Sequence, residues 1–387
     1  MSSQLPTLGR RDFLFTAAAA ATSAVVASTT INSAVAANKV LPRVHTVLGP
    51  VPPEKLGLTL MHEHAPLVDW SELYEFKPAP LVPAVRNEML KKMTSMLQAF
   101  EATLTDKQSP GAIVECTPIR VGRDPSLLVD LARRVKCHLI AATGFWCEAF
   151  APQHPWAIQM GLEKGGIDKI AQLYIREIRE GMEDPIGPWG EKFTNVKAGV
   201  IKIGTSAYMT PSERRCNTAA AIASSETGCP ITTHTTDGGG LEQARLLLAA
   251  GAKPQRVIIG HMGNKDDREQ DEAYEYQRQL VELGCYVQFD RVGHDSYAVD
   301  KCARQIRRLV EAGFAQQILV GHDWAPYFYR GQFDSNVPNN TIDAWTFKDS
   351  DYTIVTKQLL PQLAAAGVSA KDIQAITIDN PARVLAF

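Results

Sequence analysis

Residues 230–261 read PITTHTTDGGGLEQARLLLAAGAKPQRVIIGH and contain one complete strand–helix–strand unit. Both ends are short apolar runs that finish in a histidine. The segment between them, Leu241 to Ala250, has the spacing of an amphipathic helix, and Gly251 follows it where a left-handed cap is expected. Continuous apolar runs such as Val257-Ile258-Ile259 are typical of parallel strands buried on both faces. The unit therefore predicts a parallel sheet covered by helices.

The same unit recurs along the chain. A second predicted helix, Glu272 to Leu283, is closed by Gly284 in the same way. The eight candidate strands are Gly57 to His62, Ala112 to Thr117, His138 to Thr143, Ala198 to Ile203, Pro230 to His234, Arg256 to His261, Cys285 to Phe289 and Gln317 to Gly321. Eight such repeats predict an α/β fold, a (β/α)8 TIM barrel. The alternative is an open doubly wound sheet, although no glycine-rich fingerprint follows the first strand.

The N-terminal segment differs in composition from the rest of the chain. Paired arginines at Arg10 and Arg11 precede a run of only Ala, Thr, Ser and Val at residues 16–30, and then Ala34-Val35-Ala36. This pattern resembles a twin-arginine export signal with a signal-peptidase site, so we expect a periplasmic or secreted protein. The run is too short and too rich in Ser and Thr for a stable membrane anchor.

We therefore divide the chain into three parts. These are a cleaved export signal (residues 1–36), an N-terminal extension (37–55) with a short strand and turn at Val44 to Pro50, and the barrel domain (56–387). Long insertions after strands one, three and eight are expected to shape a pocket, because loops after the strands lie on the face where barrel active sites form. They are Ala65 to Ser109, Phe145 to Val196 and Trp324 to Asp351.

The bulk composition is that of a globular enzyme-sized chain. Of 387 residues, 45% are hydrophobic and 21% are charged, and the net charge is -2. No basic block appears beyond the N-terminus, which argues against a nucleic-acid partner and favours a small neutral substrate. Seven cysteines, an odd number with no CxxC pair, predict buried free thiols. They are Cys116, Cys137, Cys147, Cys216, Cys229, Cys285 and Cys302.

The first strand ends in a pair of histidines. In Leu60-Met61-His62-Glu63-His64, the two histidines are two residues apart and point the same way in a strand, so both can reach one ion. Two polar residues at a strand end are the alternative. Further ligand-type residues, His234, His261 and Asp323, end or follow other strands. Together they form a mixed nitrogen and oxygen set that suits zinc, manganese, cobalt or iron.

Lys202 lies inside the apolar strand Ala198 to Ile203, where a lysine needs a partner. One possibility is a buried salt bridge, and another is a lysine that forms a Schiff base. A third is a neutral amine that adds carbon dioxide to give a carbamate, whose two oxygens can bridge two metal ions.

The order of these motifs resembles that of the phosphotriesterase family over Val44 to Phe387. The motifs are Gly57-Leu58-Thr59-Leu60-Met61-His62-Glu63-His64, Lys202-Ile203-Gly204-Thr205, Thr233-His234-Thr235, Ile259-Gly260-His261, Phe289-Asp290-Arg291, Asp323-Trp324 and Asn380-Pro381-Ala382-Arg383. The resemblance implies two divalent ions, expected to be zinc with cobalt, manganese or iron as alternatives, and a homodimer.

The resemblance also implies a role for each metal-site residue. One ion is held by His62, His64 and Asp323, the second by His234 and His261, and carbamylated Lys202 bridges them. A hydroxide bridging the two ions would be the nucleophile. Asp323 would accept the proton.

Four further residues fall on substrate-pocket positions of that family, namely Trp146, Arg291, His294 and Trp324. Trp146 and Trp324 correspond to aromatic walls in the phosphotriesterases proper, whereas packing is the alternative role for large aromatic residues in loops. His294 also falls on a pocket position. Two residues differ from those of the phosphotriesterases. Asn264 stands where these enzymes often carry aspartate, and Arg291 stands where some organophosphate-degrading members carry histidine. These departures favour ester or lactone cleavage, whereas the tryptophans favour phosphotriesters.

The sequence thus predicts a binuclear metal-dependent hydrolase of phosphotriesters, lactones or carboxylic esters, similar to an aryldialkylphosphatase. Two hypotheses of other classes stay open. One is a non-catalytic periplasmic binding protein on the same barrel, and the other is a lyase that forms a Schiff base on Lys202.

Overall fold

The computed structural model describes residues 41–65, 67–69, 83–106, 108–148, 155–185, 190–235, 238–263, 270–294, 296–329 and 351–387. The predicted export signal and Asn264 lie outside the described residues, as do 330–350 in the insertion after the last strand.

The strands follow the predicted order. In chain order they are β1 (Val44–Thr46), β2 (Gly49–Val51), β3 (Thr59–Glu63), β4 (Leu67–Asp69), β5 (Ala112–Glu115), β6 (His138–Thr143), β7 (Val200–Gly204), β8 (Ile231–His234), β9 (Val257–Ile259), β10 (Tyr286–Phe289), β11 (Ile318–Val320) and β12 (Tyr327–Tyr329). Eight of them form one parallel sheet in the order β3, β5, β6, β7, β8, β9, β10, β11. The sheet is a nearly closed barrel, which confirms the (β/α)8 prediction.

Helices follow the barrel strands and cover the outside of the sheet. They are α1 (Pro83–Thr103), α2 (Pro125–Ala132), α3 (Pro155–Leu162), α4 (Gly166–Arg179), α5 (Pro211–Thr227), α6 (Gly240–Ala249), α7 (Gln270–Glu282), α8 (Val299–Glu311), α9 (Leu360–Ala365), α10 (Ala370–Gln374) and α11 (Asn380–Leu385). The predicted caps are confirmed, because Gly251 after α6 and Gly284 after α7 have φ angles of +101° and +86°.

Alternation along the strands separates two apolar cores. In β7, Val200 packs inside the barrel, whereas Ile201 and Ile203 pack outward against the helices. Because side chains alternate between the two faces, Lys202 must point into the barrel with Val200. Its side chain is fully buried. The strand pattern alone therefore places a lysine amine inside the barrel.

The N-terminal hairpin of β1 and β2 lies across the end of the barrel where the strands begin. The amide of Val47 donates to the carbonyl of Leu139 at 2.9 Å, and His45 lies 3.2 Å from the carbonyl of Ala198. The backbone of Arg43 exchanges two hydrogen bonds with that of Phe387. This end is thereby closed, and the opposite end carries the loops that follow the strands.

The first and last barrel strands meet along a seam rather than a regular ladder. The amide of Asp323 donates to the carbonyl of His62 at 2.8 Å, and the amide of His64 donates to the carbonyl of Trp324 at 2.8 Å. Gly321 favours this approach, because a Cβ there would make tight contacts of 3.0 Å with the backbone nitrogen and oxygen of His62. Beyond the seam, β4 pairs in parallel with β12.

The cysteines behave as small core residues. All seven belong to the described residues, each is buried, and none forms a disulfide, as predicted. Within the described part of the chain, no helix combines the length and the apolar character that a bilayer span requires.

We predict that Gly144→Ala destabilises the barrel far more than Gly313→Ala. Both glycines have positive φ angles, of +109° and +90°, but a Cβ at Gly144 would lie 2.0 Å from the carbonyl oxygen of Lys202, whereas nothing lies within 4 Å at Gly313. We expect a loss in the free energy of unfolding of about 3 kcal/mol for the first and about 1 kcal/mol for the second, measured by urea denaturation. Equal losses would show that the close approach to β7 is not a constraint.

Candidate metal centre

The structure brings all six predicted ligand residues together at the rim where the barrel strands end. Lys202 Nζ lies 2.9 Å from His62 Nε2. Asp323 Oδ1 lies 3.3 Å from His62 Nε2 and 3.0 Å from His64 Nε2. His261 Nε2 lies 2.7 Å from His234 Nδ1 and 3.9 Å from Asp323 Oδ2. Residues on or next to five strands thus form one continuous cluster, and two of them, His62 and Asp323, are 261 positions apart in the chain.

The cluster contains a group that could hold one metal ion. One ligand atom from each of His62, His64 and Asp323 lies within 4.8 Å of the others. In a second group, His261 Nε2 lies 2.7 Å from His234 Nδ1. Asp323 connects the two groups, since its Oδ2 lies 3.9 Å from His261 Nε2, and Lys202 adjoins the first group through His62.

Burial favours the neutral form of three of these histidines. Burial, together with the nearby Arg291 cation, lowers the pKa of His261 to about 4, and burial lowers the pKa of His234 well below its usual value. It lowers the pKa of His62 as well, with a further contribution from Lys202. A neutral imidazole has a lone pair to give to a metal ion, whereas a protonated one does not.

Lys202 is subject to the same effect. Desolvation lowers its pKa, although Cys116, Asp323 and Asp290 oppose the shift electrostatically. A lysine amine in this position has a larger neutral fraction than an exposed one. The neutral amine is the form that can react with carbon dioxide or with a carbonyl.

Asp290 belongs to this cluster, although it was not among the predicted site residues. It follows β10, is fully buried, and accepts from His62 Nδ1 at 2.8 Å through one oxygen and from His261 Nδ1 at 2.9 Å through the other. Although burial alone would raise its pKa, His261 and His62 hold the pKa of Asp290 below its usual range. An ionised carboxylate only accepts hydrogen bonds, so both rings carry their proton on Nδ1 and turn Nε2 into the cluster.

Asp290 is close enough to both histidines to suggest a metal site of its own. We assign it instead as an orienting residue, because at 2.8 and 2.9 Å its oxygens already accept the ring N–H groups. Its position immediately after a barrel strand is the same signal that marked His261 and Asp323, and it could have identified Asp290 from the sequence.

His64 has a separate support. Its Nδ1 lies 2.9 Å from Thr117 Oγ1, and the Thr117 hydroxyl donates to Glu115 Oε1. Since Thr117 uses its only proton for Glu115, its oxygen accepts from His64 Nδ1–H, so Nε2 is the ring nitrogen that faces the cluster, 3.0 Å from Asp323 Oδ1. Burial raises the pKa of Glu115 to about 8. Glu115 is a charged residue inside the predicted strand Ala112 to Thr117, the signal that marked Lys202, and it could have been identified in the same way. Thr117 carried no such signal.

Arg291 lies at the mouth of the cluster. Its Nε donates to Asp323 Oδ2 at 2.8 Å, and its Nη2 lies 3.0 Å from His261 Nε2. Although burial alone would raise the pKa of Asp323, the adjacent His62 ring, the Arg291 cation and the hydrogen bond to His64 leave it well below its usual value. The side chain of Arg291 is 25% exposed, so this cation can meet a bound molecule.

The three other predicted pocket residues differ in their placement. The Trp146 ring lies edge-on to His234, with ring centroids 5.8 Å apart. Trp324 is only 3% exposed and stacks on His294 at 4.2 Å, and His294 Nε2 donates to the carbonyl of His322 at 2.6 Å. Trp146 thus contacts the cluster directly, whereas Trp324 and His294 pack as a pair beside it.

The donor set fits divalent transition metals. It offers four imidazole nitrogens and the oxygens of Asp323, the ligand types that zinc and its neighbours in the periodic table bind. The ring orientations are fixed by Asp290 and Thr117, which is the outer support that protein metal sites use. Such a site can activate water and stabilise charge on an oxygen atom of a substrate.

The comparisons with known proteins agree with this geometry. The chain is 27% identical to an aryldialkylphosphatase of Saccharolobus solfataricus over 340 residues, covering 84% of this chain and 94% of that protein. It is 29% identical to a phospho-furanose lactonase of Mycoplasmopsis synoviae, covering 88% and 91%. A mutant of a PTE-like lactonase from Deinococcus radiodurans is similar in structure, with a TM-score of 0.72, 29% identity, and coverage of 88% of this chain and 99% of that one.

The family model described as "Phosphotriesterase family" matches residues 42–385, nearly all of the chain beyond the N-terminal segment. This chain belongs to the phosphotriesterase family.

Proposed function

We propose that this protein is a binuclear metal-dependent hydrolase that cleaves phosphotriester, lactone or carboxylic ester bonds. The observation that carries the proposal is the cluster of four histidines, Lys202 and Asp323 at the barrel rim. A barrel that had lost its chemistry and only bound a ligand would be expected to have lost several of these residues. The names of the relatives, an aryldialkylphosphatase and a phospho-furanose lactonase, support ester hydrolysis.

The ligands divide into two sets around Lys202. His62, His64 and Asp323 would hold one ion, and His234 and His261 the second. The neutral amine of Lys202 would add carbon dioxide and release a proton, which gives a carbamate with an oxygen for each ion. We expect zinc, with cobalt, manganese or iron as alternatives. Divalent ions bound there would lower the pKa of water and polarise the carbonyl or phosphoryl oxygen of the substrate.

The chain's own residues then have distinct tasks. Asp323, an ionised carboxylate at the centre of the cluster, is placed to accept the proton of the attacking water. Arg291 donates to the same carboxylate at 2.8 Å and keeps it oriented. Trp146 adds an apolar surface beside His234 against which an aryl or alkyl group can pack.

The Schiff-base alternative is less well supported. Lys202 Nζ lies 2.9 Å from His62 Nε2 and points into a group of metal-type ligands. A carbonyl substrate would have to enter this group to reach the amine. Borohydride trapping with a carbonyl substrate would reveal such a lyase, and we expect no trapped adduct.

We predict that hydrolysis requires both metal ions and Lys202. The purified protein should bind about two equivalents of metal, lose hydrolysis of its best substrate on chelation, and regain it with zinc and bicarbonate. Paraoxon, aryl acetates and acyl-homoserine or aliphatic lactones form the substrate panel. Loss of a residue that only supports a metal ligand typically costs roughly 10- to 100-fold in activity. Lys202→Ala removes a proposed ligand itself, so it should lower kcat/KM by at least that factor.

The matched control for Lys202 is Lys301→Ala, since Lys301 is also a buried lysine but donates to the carbonyl of Ser296 on another part of the barrel. This variant should keep both metal ions and the activity of the parent protein. Absence of metal from the parent protein, or hydrolysis that survives complete chelation, would contradict the proposal.

We predict that Asp290→Asn weakens metal binding by about 10- to 100-fold, because the amide nitrogen of asparagine would face a ring N–H group and turn one histidine away from the cluster. Competition with a chromophoric chelator measures this affinity. The control is Asp124→Asn. Asp124 is a buried aspartate at the start of α2, where asparagine caps a helix equally well. Equal losses of metal affinity in the two variants would contradict the assignment of Asp290 as the residue that orients His62 and His261.

A further inference from the structure

Two of the candidate metal ligands have a backbone conformation that L-amino acids rarely adopt. Among the described residues other than glycine, positive φ angles occur at Arg120, at His261 with +60° and at Asp323 with +53°. Such residues persist only where the surroundings hold them. The side chains of His261 and Asp323 are aimed at the cluster by these turns, so whatever holds the turns also determines the ligand geometry.

The turn at His261 is held by a group already described. Its amide donates to Asp290 Oδ1 at 2.9 Å, and its ring donates to the same oxygen. The turn at Asp323 must be held by an equivalent group, because the hydrogen bonds of Asp290 described above go to His62 and His261.

That equivalent is Glu63. Its Oε1 accepts the amide of His322 at 2.9 Å, and its Oε2 accepts the amide of Trp324 at 3.2 Å. These are the two peptide N–H groups on either side of Asp323. A third donor, His322 Nδ1, lies 2.8 Å from Oε1. The amide of Asp323 itself donates to the carbonyl of His62, the residue before Glu63.

The position of Glu63 in β3 explains how it can do this. It lies between His62 and His64, and alternation directs its side chain away from theirs, across the seam toward the end of β11. The carboxylate lies close to Gly321, since a Cβ at that position would be in ordinary contact with Glu63 Oε1 at 3.5 Å. Glu63 is fully buried, so its carboxylate is surrounded by these donors rather than by water.

We propose that Glu63 is a positioning residue of the metal centre. Its carboxylate holds both peptide N–H groups that flank Asp323 and thereby sets the distance of the Asp323 carboxylate from His62 and His64 before any metal ion binds. The inference rests on the proposed function, because it assigns Glu63 to the ion that these three residues would share. The residue between the two histidines is thus part of the site although it never touches the ion.

A carboxylate is required at this position. Three donors converge on Glu63, two on Oε1 and one on Oε2, and an ionised carboxylate can accept all of them. Glutamine offers one oxygen, so its NH2 group would face the amide of Trp324, donor against donor. Glu63→Gln therefore removes the hydrogen bond on one side of Asp323 while it keeps the size of the side chain.

The test compares Glu63→Gln with Glu213→Gln in the full-length protein. Glu213 is a buried glutamate in α5, and its two oxygens accept the amides of Glu148, Ser206 and Thr210, none of which is a candidate ligand. Zinc affinity is measured by competition with a chromophoric chelator, and the free energy of unfolding is measured in the metal-free state.

We expect Glu63→Gln to bind one of the two zinc ions about 10- to 100-fold more weakly than the parent protein and to leave the other within about twofold. Glu213→Gln should lose stability with both affinities within about twofold of the parent. Unchanged zinc affinity in Glu63→Gln, or equal weakening in both variants, would overturn the proposal, since general destabilisation would explain the second result.

A second measurement uses the metal-free parent protein and stays informative if Glu63→Gln does not fold. Hydrogen exchange should show the amides of His322 and Trp324 protected to the same degree as that of Asp323, although no ion is bound. Exchange of the His322 and Trp324 amides at the rate of exposed loop amides would overturn the proposal. Failure of the proposed function can be distinguished from failure of this inference. In the first case, the parent protein would bind no zinc while the His322 and Trp324 amides stayed protected.

Discussion

An ionised carboxylate accepts hydrogen bonds and cannot donate them, and this constraint organises the centre of the molecule. Asp290 receives the ring N–H groups of His62 and His261, so the opposite nitrogens of both rings face the cluster with their lone pairs. At the seam between the first and last barrel strands, the carboxylate of Glu63 accepts the amides on either side of Asp323. The ligand directions thus follow from acceptors that lie behind the ligands.

The barrel makes this arrangement possible because it separates apolar and polar layers along each strand. Below the rim, inward residues such as Val200 and Ile258 fill the interior, and only the ends of the strands carry polar side chains. Lys202 lies at the boundary and keeps its amine buried beside His62. The low polarity of this layer favours neutral amine and imidazole groups, which are the forms that the proposed chemistry requires.

The strands and the ligand residues could be predicted from the sequence because both depend on local patterns. Apolar runs mark buried parallel strands, and the last residue of each run lies at a common rim, which is why His234 and His261 could be paired with His62. The supporting contacts could not be predicted in this way. Glu63 and His322 lie 259 positions apart, and only the closure of the barrel shows that they meet. For Trp324 and His294, the local pattern did not distinguish packing from substrate contact, and the structure stacks the two rings.

The central claim is that two metal ions share a modified Lys202 at the barrel rim. Anomalous diffraction at the zinc edge, from crystals grown with zinc and bicarbonate, tests it most directly. The account predicts two anomalous peaks, one beside His62, His64 and Asp323 and one beside His234 and His261, with electron density for a carboxylate on Lys202 Nζ between them. A single peak, or an unmodified amine that contacts neither ion, would contradict it.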